Sequence, residues 1–175
     1  MSRIRIIPAI SALVLTFAVL FGGFQVYRNY EQVRPLQSQL AHLPQVQNAT
    51  VNMNGNSASV HIALKPIADL QDVYTQIQND VVATLGTPVS ISLQDRRDVT
   101  LEKAYESLQP ILYTGIAQGN YTGMISALEK QCHSQHIASH ITMNAQDIFV
   151  QLSKGHNYLY EIVPYQNKTA GGSGQ

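Results

Sequence analysis

Apolar residues are spread along this chain in three ways, and each predicts a different kind of structure. From Ile6 to Tyr27 they form a nearly continuous, uncharged run, framed by Arg3 and Arg5 on one side and Arg28 on the other. Beyond it they recur at three- and four-residue steps, the helical period, or at every second residue, the strand period. Val33, Leu36, Leu40 and Leu43 predict a short amphipathic helix that ends at Pro44. Thr50 to Met53 and Ser57 to Leu64 then alternate, joined by Asn54-Gly55-Asn56. Asn-Gly tolerates the positive φ of a tight hairpin, so the two segments predict paired strands. Ala58, Val60, Ile62 and Leu64 share one face of the second strand, and Ser59, His61 and Ala63 take the other.

Pro66 closes that hairpin, and Asp69 is placed to cap a helix striped by Leu70, Val73, Tyr74, Ile77, Val81 and Leu85. Gly86 stops it. Val89, Ile91 and Leu93 alternate with Ser90, Ser92 and Gln94 as a third strand. The order helix, strand, strand, helix, strand predicts an αββαβ unit with its helices on one face of a small sheet.

A polar joint from Asp95 to Thr100 follows, where Asp95 and Asp98 flank Arg96 and Arg97 and are expected to form at most a weak surface ion pair. Leu101, Ala104, Tyr105, Leu108, Ile111 and Leu112 then repeat helically, although Pro110 is expected to kink or restart that helix. A second helix is predicted from about Asn120 or Thr122, with Met124, Ile125, Leu128 and Cys132 inward. Ile137 to Met143, Asp147 to Leu152 and Asn157 to Val163 predict an antiparallel meander with turns at Asn144-Ala145-Gln146 and Lys154-Gly155-His156. The fold class is thus α+β, with a transmembrane helix (6–27) after a cytoplasmic tip (1–5), an αββαβ module (28–94) and a helix-helix-three-strand antiparallel module (95–165) packed on it. The tail, 166–175, lacks apolar residues and is expected to be disordered.

The apolar run is long enough to span. Roughly 22 residues at about 1.5 Å each make about 33 Å of helix, against a hydrocarbon core of about 30 Å. A cleaved signal peptide is the rival, but its apolar core is shorter, about 7–15 residues, and ends at a small-x-small site. Here Phe21 and Phe24 flank the Gly22-Gly23 pair, and no cysteine follows on which a lipid could be carried. Pro8 sits in the first turn, where its missing N–H costs little, and Tyr27 and Tyr30 suit headgroup depth. Arg3, Arg5 and the terminal amine favour a cytoplasmic N-terminus, which places the C-terminal part outside the cell membrane.

Composition narrows the partners. Eleven basic and eleven acidic residues cancel, so there is no broad field to attract nucleic acid. Cys132 is the only cysteine, which excludes an intrachain disulfide and leaves the fold to its apolar core. The expected partners are the membrane and either an envelope protein or a weakly associating second copy.

Between Leu36 and Leu93 the succession L-Q-S-Q-L-A-H-L-P-Q-V, N-G-N-S-A-S-V-H-I-A-L, L-Q-D-V-Y-T-Q-I-Q-N-D-V and V-S-I-S-L resembles the small αββαβ modules of bacterial envelope proteins. These include ring-building domains of secretion and sporulation channels, BON domains and alkaline-shock-type domains. The resemblance implies a non-catalytic role in self-association or in contact with membrane and partner proteins, and it carries no site residue over. Leu101 to Tyr165 is similar to envelope extensions of unknown function in Gram-positive bacterial proteins.

Candidate chemistry concentrates in Cys132-His133-Ser134-Gln135-His136-Ile137-Ala138-Ser139-His140. On one continuous helix Cys132, His136 and His140 would stack at four-residue steps and could hold zinc or copper. Ile137, Ile141 and Met143 begin a strand pattern instead, so the helix is expected to end near His136 and the three groups to diverge. Cys132 falls on the apolar side of its helix, where a small buried thiol is the usual role, not a nucleophile. No paired carboxylates, phosphate-cradling glycine loop, metal set or cofactor set can be assigned. Asn48-Ala49-Thr50, Asn120-Tyr121-Thr122 and Asn167-Lys168-Thr169 match the glycan acceptor pattern, which has meaning only in a eukaryotic secretory pathway. Ala18 and Gly22 form one small-xxx-small pair within the span. The function expected is a single-pass, non-catalytic assembly or interaction module of the bacterial envelope; a ligand- or metal-sensing domain outside the membrane is the alternative.

Overall fold

In the computed structural model, residues 15–17, 19–20, 33–54, 57–85 and 89–165 are described. Beyond the helical residues 15–17 and 19–20, four helices and six strands follow one another among them: α1 (Arg34–Ala41), β1 (Val46–Asn54), β2 (Ser57–Leu64), α2 (Leu70–Leu85), β3 (Val89–Gln94), α3 (Val99–Gln118), α4 (Tyr121–Ser134), β4 (Ala138–Met143), β5 (Asp147–Lys154) and β6 (Asn157–Pro164). The protein is mixed α+β, with two three-stranded sheets ordered β1-β2-β3 and β4-β5-β6.

Local chemistry sets most element boundaries. Asp69 Oδ1 accepts the Asp72 N–H at 3.1 Å, Asp98 Oδ1 accepts the Leu101 N–H at 2.9 Å, and Asn120 Oδ1 accepts the Gly123 N–H at 3.1 Å. Each satisfies one of the amide donors that a helix start leaves without a partner. Gly119 ends α3 at φ +66°, a left-handed position that glycine occupies without a Cβ penalty. α4 ends at Ser134, and His136 takes φ 56°, so the chain turns there as the strand pattern after it demands.

In the first sheet β1 pairs antiparallel with β2, and β3 returns through α2 to lie parallel to β2. Val60, Ile62 and Leu64 face Leu36 and Leu40 of α1 and Leu70, Ile77 and Val81 of α2 in one buried cluster. The opposite face, with Thr50, Asn52, His61, Ser90 and Ser92, is exposed. β1 starts at Val46, four residues before the alternation predicts. A bulge between Val46 and Asn48 leaves Gln47 and Asn48 both exposed while Val46 and Ala49 are buried, and this three-residue step hides the strand period.

The second sheet is an antiparallel meander, β4 to β5 and β5 to β6. Its face bearing Ile141, Ile148, Val150, Leu152, Leu159 and Val163 packs against Leu101, Leu108, Leu112, Met124 and Leu128 of α3 and α4. Its other face delivers Phe149, Tyr158 and Tyr160 into the core of the first unit. β5 is therefore covered on both sides. The two sheets stay separate, and an isolated backbone bridge pairs Arg96, just past β3, with Tyr158 of β6.

α3 continues through Pro110 as one helix, against the expected restart. Pro110 is exposed, so the Glu106 carbonyl that loses its N–H partner can face water, while Leu108 and Leu112 on either side stay fully buried. Packing outweighs the lost bond.

The predicted span from Ile6 to Tyr27 lies largely outside the described residues, as do the Asn54-Gly55-Asn56 turn in part, Gly86 and the tail. Among the described residues no helix is long and apolar enough to cross a membrane. Leu15, Thr16, Phe17, Val19 and Leu20 are helical, and Leu15, Phe17, Val19 and Leu20 are 68%, 65%, 67% and 65% exposed.

Candidate functional site

The short segment between β3 and α3 is the structural centre of the molecule. Asp95 has a side chain only 2% exposed, and Arg97 grips it. The guanidinium then reaches Glu161 Oε1 on β6 through Nη1 at 2.8 Å. Asp95 Oδ2 also accepts the Tyr160 backbone N–H at 2.8 Å, and the Arg96 carbonyl accepts the Tyr158 N–H at 3.1 Å. The joint thus works as a partial fourth strand along the β6 edge. The sequence pattern marks these charges as a solvated joint; in the structure Arg96 and Arg97 are exposed as that implies, but the Asp95 side chain is buried and multiply bonded, which makes the joint a clamp. The Asp95 hydrogen bonds, foremost, hold the Arg97 guanidinium above its ordinary value against the opposing effect of burial, with Glu161 adding to them. Burial and then the charge of Glu161 push nearby Tyr105 up to about 12.

A second group of contacts docks the linker between β2 and α2 onto the second sheet. Tyr158 Oη donates to the Leu64 carbonyl at 2.8 Å in a buried position. Tyr160 Oη accepts the Ile67 N–H at 3.0 Å and donates to the Lys65 carbonyl at 3.2 Å, and Gln151 Nε2 donates to the Ile67 carbonyl at 2.8 Å. Burial pushes Tyr160 up to about 12, so the hydroxyl remains a neutral donor at ordinary pH. On the same sheet face Asp147 is 3% exposed, and its charge, after burial, raises the Tyr74 hydroxyl.

Between these contacts lies a cleft of about 800 Å³, bordered by Lys65, Arg96, Gln151, His156, Asn157 and Tyr160 among others. The carboxylate that borders it, Asp95, and its neighbour Asp98 are already engaged. Asp95 is held by Arg97 and Tyr160, and Asp98 caps α3 and accepts from Asn157 Nδ2 at 2.9 Å. Most of the cleft's other polar groups are engaged as well: both tyrosine hydroxyls, Gln151 Nε2, Asn157 Nδ2 and Lys65 Nζ already make hydrogen bonds, while Gln151 Oε1 is buried without one. Such a cleft can bind a ligand but presents no nucleophile paired with a base.

Cys132, His136 and His140 are set apart by the structure. Cys132 is buried inside α4's packing face, and burial raises its thiol despite a Ser139 hydrogen bond that works the other way. His136 is exposed at the turn, and His140 lies on β4 with Nε2 3.2 Å from Asp69 Oδ2 at the α2 cap. Among the described residues no group of three or more His, Cys, Asp or Glu stands where it could hold a metal ion.

The sequence pattern missed the Asp95–Arg97–Glu161 clamp and the Tyr158–Tyr160 docking, although tyrosines at two-residue spacing on one strand face were legible as a shared surface. No family model matches the chain, and comparison with curated proteins finds no match.

Proposed function

We propose that this chain is a single-pass membrane-anchored protein whose α+β part lies outside the bacterial cell membrane and serves as a non-catalytic assembly or interaction module. The observation that supports this most is the exposure of Leu15, Phe17, Val19 and Leu20 within a helical stretch. At about 100° per residue these four positions spread over about 200° of the helix surface, wider than the stripe that packing on one neighbour buries, and so broad an apolar surface needs an apolar surrounding. The folded part offers none to them, since its own cores are closed by the side chains already described; lipid meets the need. The uncharged interval from Ile6 to Tyr27 has the length for it, and Arg3 and Arg5 favour the cytoplasmic side for the N-terminus.

The interaction role is supported by the balanced charge and by exposed strand surface that no described element covers. Confinement to a membrane plane raises effective concentration, so even weak homo-association becomes effective. A C-terminal tag on the full chain in intact cells is expected to be cut by external protease, and the protein to stay in the pellet after alkaline carbonate. Protection of the tag until lysis overturns the outside placement, and release by carbonate overturns the anchor.

One observation favours a second reading, an extracytoplasmic ligand-sensing domain: the cleft of about 800 Å³ between the two units. Chemical shifts of Lys65, Arg96 and Asn157 that move together on titration with a small-molecule panel support it. A panel without effect there leaves the interaction module as the better account.

A further inference from the structure

The four strands at sheet edges differ sharply in how they are protected. β1 carries the bulge between Val46 and Asn48, a device that twists an edge away from a would-be partner. β3 is six residues long and runs directly into Asp95, Arg96, Arg97 and Asp98. β6 is covered by the Arg96 carbonyl and the Asp95 carboxylate, which take the N–H groups of Tyr158 and Tyr160. β4 is as short as β3, but it carries no bulge, runs into no charged segment and has no such cover. It is the outer strand of β4-β5-β6, its sequence Ala138-Ser139-His140-Ile141-Thr142-Met143 holds no Lys, Asp, Glu or Pro, and no described element pairs with its outer side. Alternate backbone N–H and C=O groups along it therefore point away from β5.

Beside this edge runs a groove of about 480 Å³, walled by Ser126, Glu129, Lys130 and His133 of α4 and by Ile137 and Ser139. We propose that a second copy of this chain occupies it, with β4 pairing antiparallel to its counterpart about a two-fold axis and the two α4 helices side by side. The sheet then becomes six-stranded and continuous. A two-fold contact must be self-complementary, each residue meeting a partner that meets it in return. The groove wall satisfies this: Glu129 and Lys130 are adjacent and opposite in charge, so reversal about the axis brings each against the other from the second copy. His140 does not obstruct the pairing, because its ring turns to Asp69 on the α2 side of the sheet.

This inference deepens the interaction-module reading and rests on it. The test uses the full chain in membranes with Cys132→Ser as background and single cysteines placed at Ala138, His140 and Thr142, and Ser92→Cys on the exposed face of the first sheet as a control. Cross-linking is expected to peak at one β4 position and fall on both sides, the mark of an antiparallel two-fold pair, with the control and the unaltered chain silent. Lys130→Glu is expected to lower the peak about tenfold through like charge across the axis, and Glu129→Lys with Lys130→Glu together to restore it. Flat or absent cross-linking along β4, or a charge swap that fails to rescue, overturns the proposal. Carbonate extraction of the same samples reads the anchor separately, so its failure is not confused with failure of the pairing.

Discussion

Arg97 holds Asp95 through two parallel hydrogen bonds, Nε to Oδ1 at 2.8 Å and Nη2 to Oδ2 at 2.7 Å. The residues are two apart in sequence, a separation that on an exposed loop signifies little. Here the carboxylate is buried, the guanidinium is about one-third exposed at 32%, and the pair is tied to β6 on the far side of the joint. Bidentate geometry makes it a fixed element of the architecture.

Removing Arg97 leaves a buried carboxylate with only the Tyr160 N–H as donor. Arg97→Ala is expected to destabilise the protein by about 2–3 kcal/mol, less than a fully buried pair because the guanidinium reaches water. A double-mutant cycle of Asp95→Ala and Arg97→Ala, read by denaturant midpoint, is expected to give a coupling above about 1 kcal/mol. A value near zero places the pair among ordinary surface ion pairs.

The tyrosine contacts give a second test. Tyr158→Phe removes the only donor that Tyr158 offers the buried Leu64 carbonyl, and Tyr160→Phe strips partners from both Ile67 N–H and Lys65 C=O. Each is expected to lower stability by about 1–2 kcal/mol with an unchanged denaturant slope. Because burial pushes Tyr160 up to about 12, the difference between ultraviolet titrations of the unaltered protein and Tyr160→Phe is expected to show its phenolate forming well above the ordinary pH 10.

Gly115 of α3 lies against α4, and a Cβ added there would come 2.5 Å from Met124 Cβ and Cγ. Helix propensity alone favours Gly115→Ala by about 1 kcal/mol. The collision is with the root of the Met124 side chain, which cannot swing away, so a net loss of about 1–2 kcal/mol is expected. Gly115→Ala with Met124→Gly, which removes the Met124 Cβ, is expected to be less damaged than the sum of the two; additive losses in calorimetry contradict this account.

Acid weakens the helix caps. The Asp98 carboxyl is held below its ordinary 3.8, chiefly by the Leu101 N–H, with Asn157 assisting. In Asp69 burial acts the other way but is outweighed by the Asp72 N–H and by His140. In both the folded value lies below the unfolded one, so their stabilisation is complete above the unfolded value and is lost as pH falls through the folded value. Asn caps about as well as Asp but does not ionise, so Asp98→Asn is expected to keep most stability at pH 6 and to lose less of it on going to pH 3. Equal acid sensitivity in the two proteins assigns the effect elsewhere.

What the sequence determined is what depends on near neighbours. Asp69 and Asn120 announce their helices because capping is settled within four residues, and the buried sets of β2 and α2 follow their periods because one face of each meets a core; Asp98 caps in the same way but is masked in the sequence by the run of charges around it. Tertiary structure decided the rest. β5 shows Ile148, Phe149 and Val150 all buried, since both of its faces are covered, and a strand in that position has no alternation to read. Arg97 and Glu161 lie 64 residues apart, and only the docking of the joint on β6 turns a run of charges into a clamp. The same docking closes the β6 edge and leaves β4 open: an edge is defined by which strands pair, and pairing is a non-local choice that periodicity does not encode.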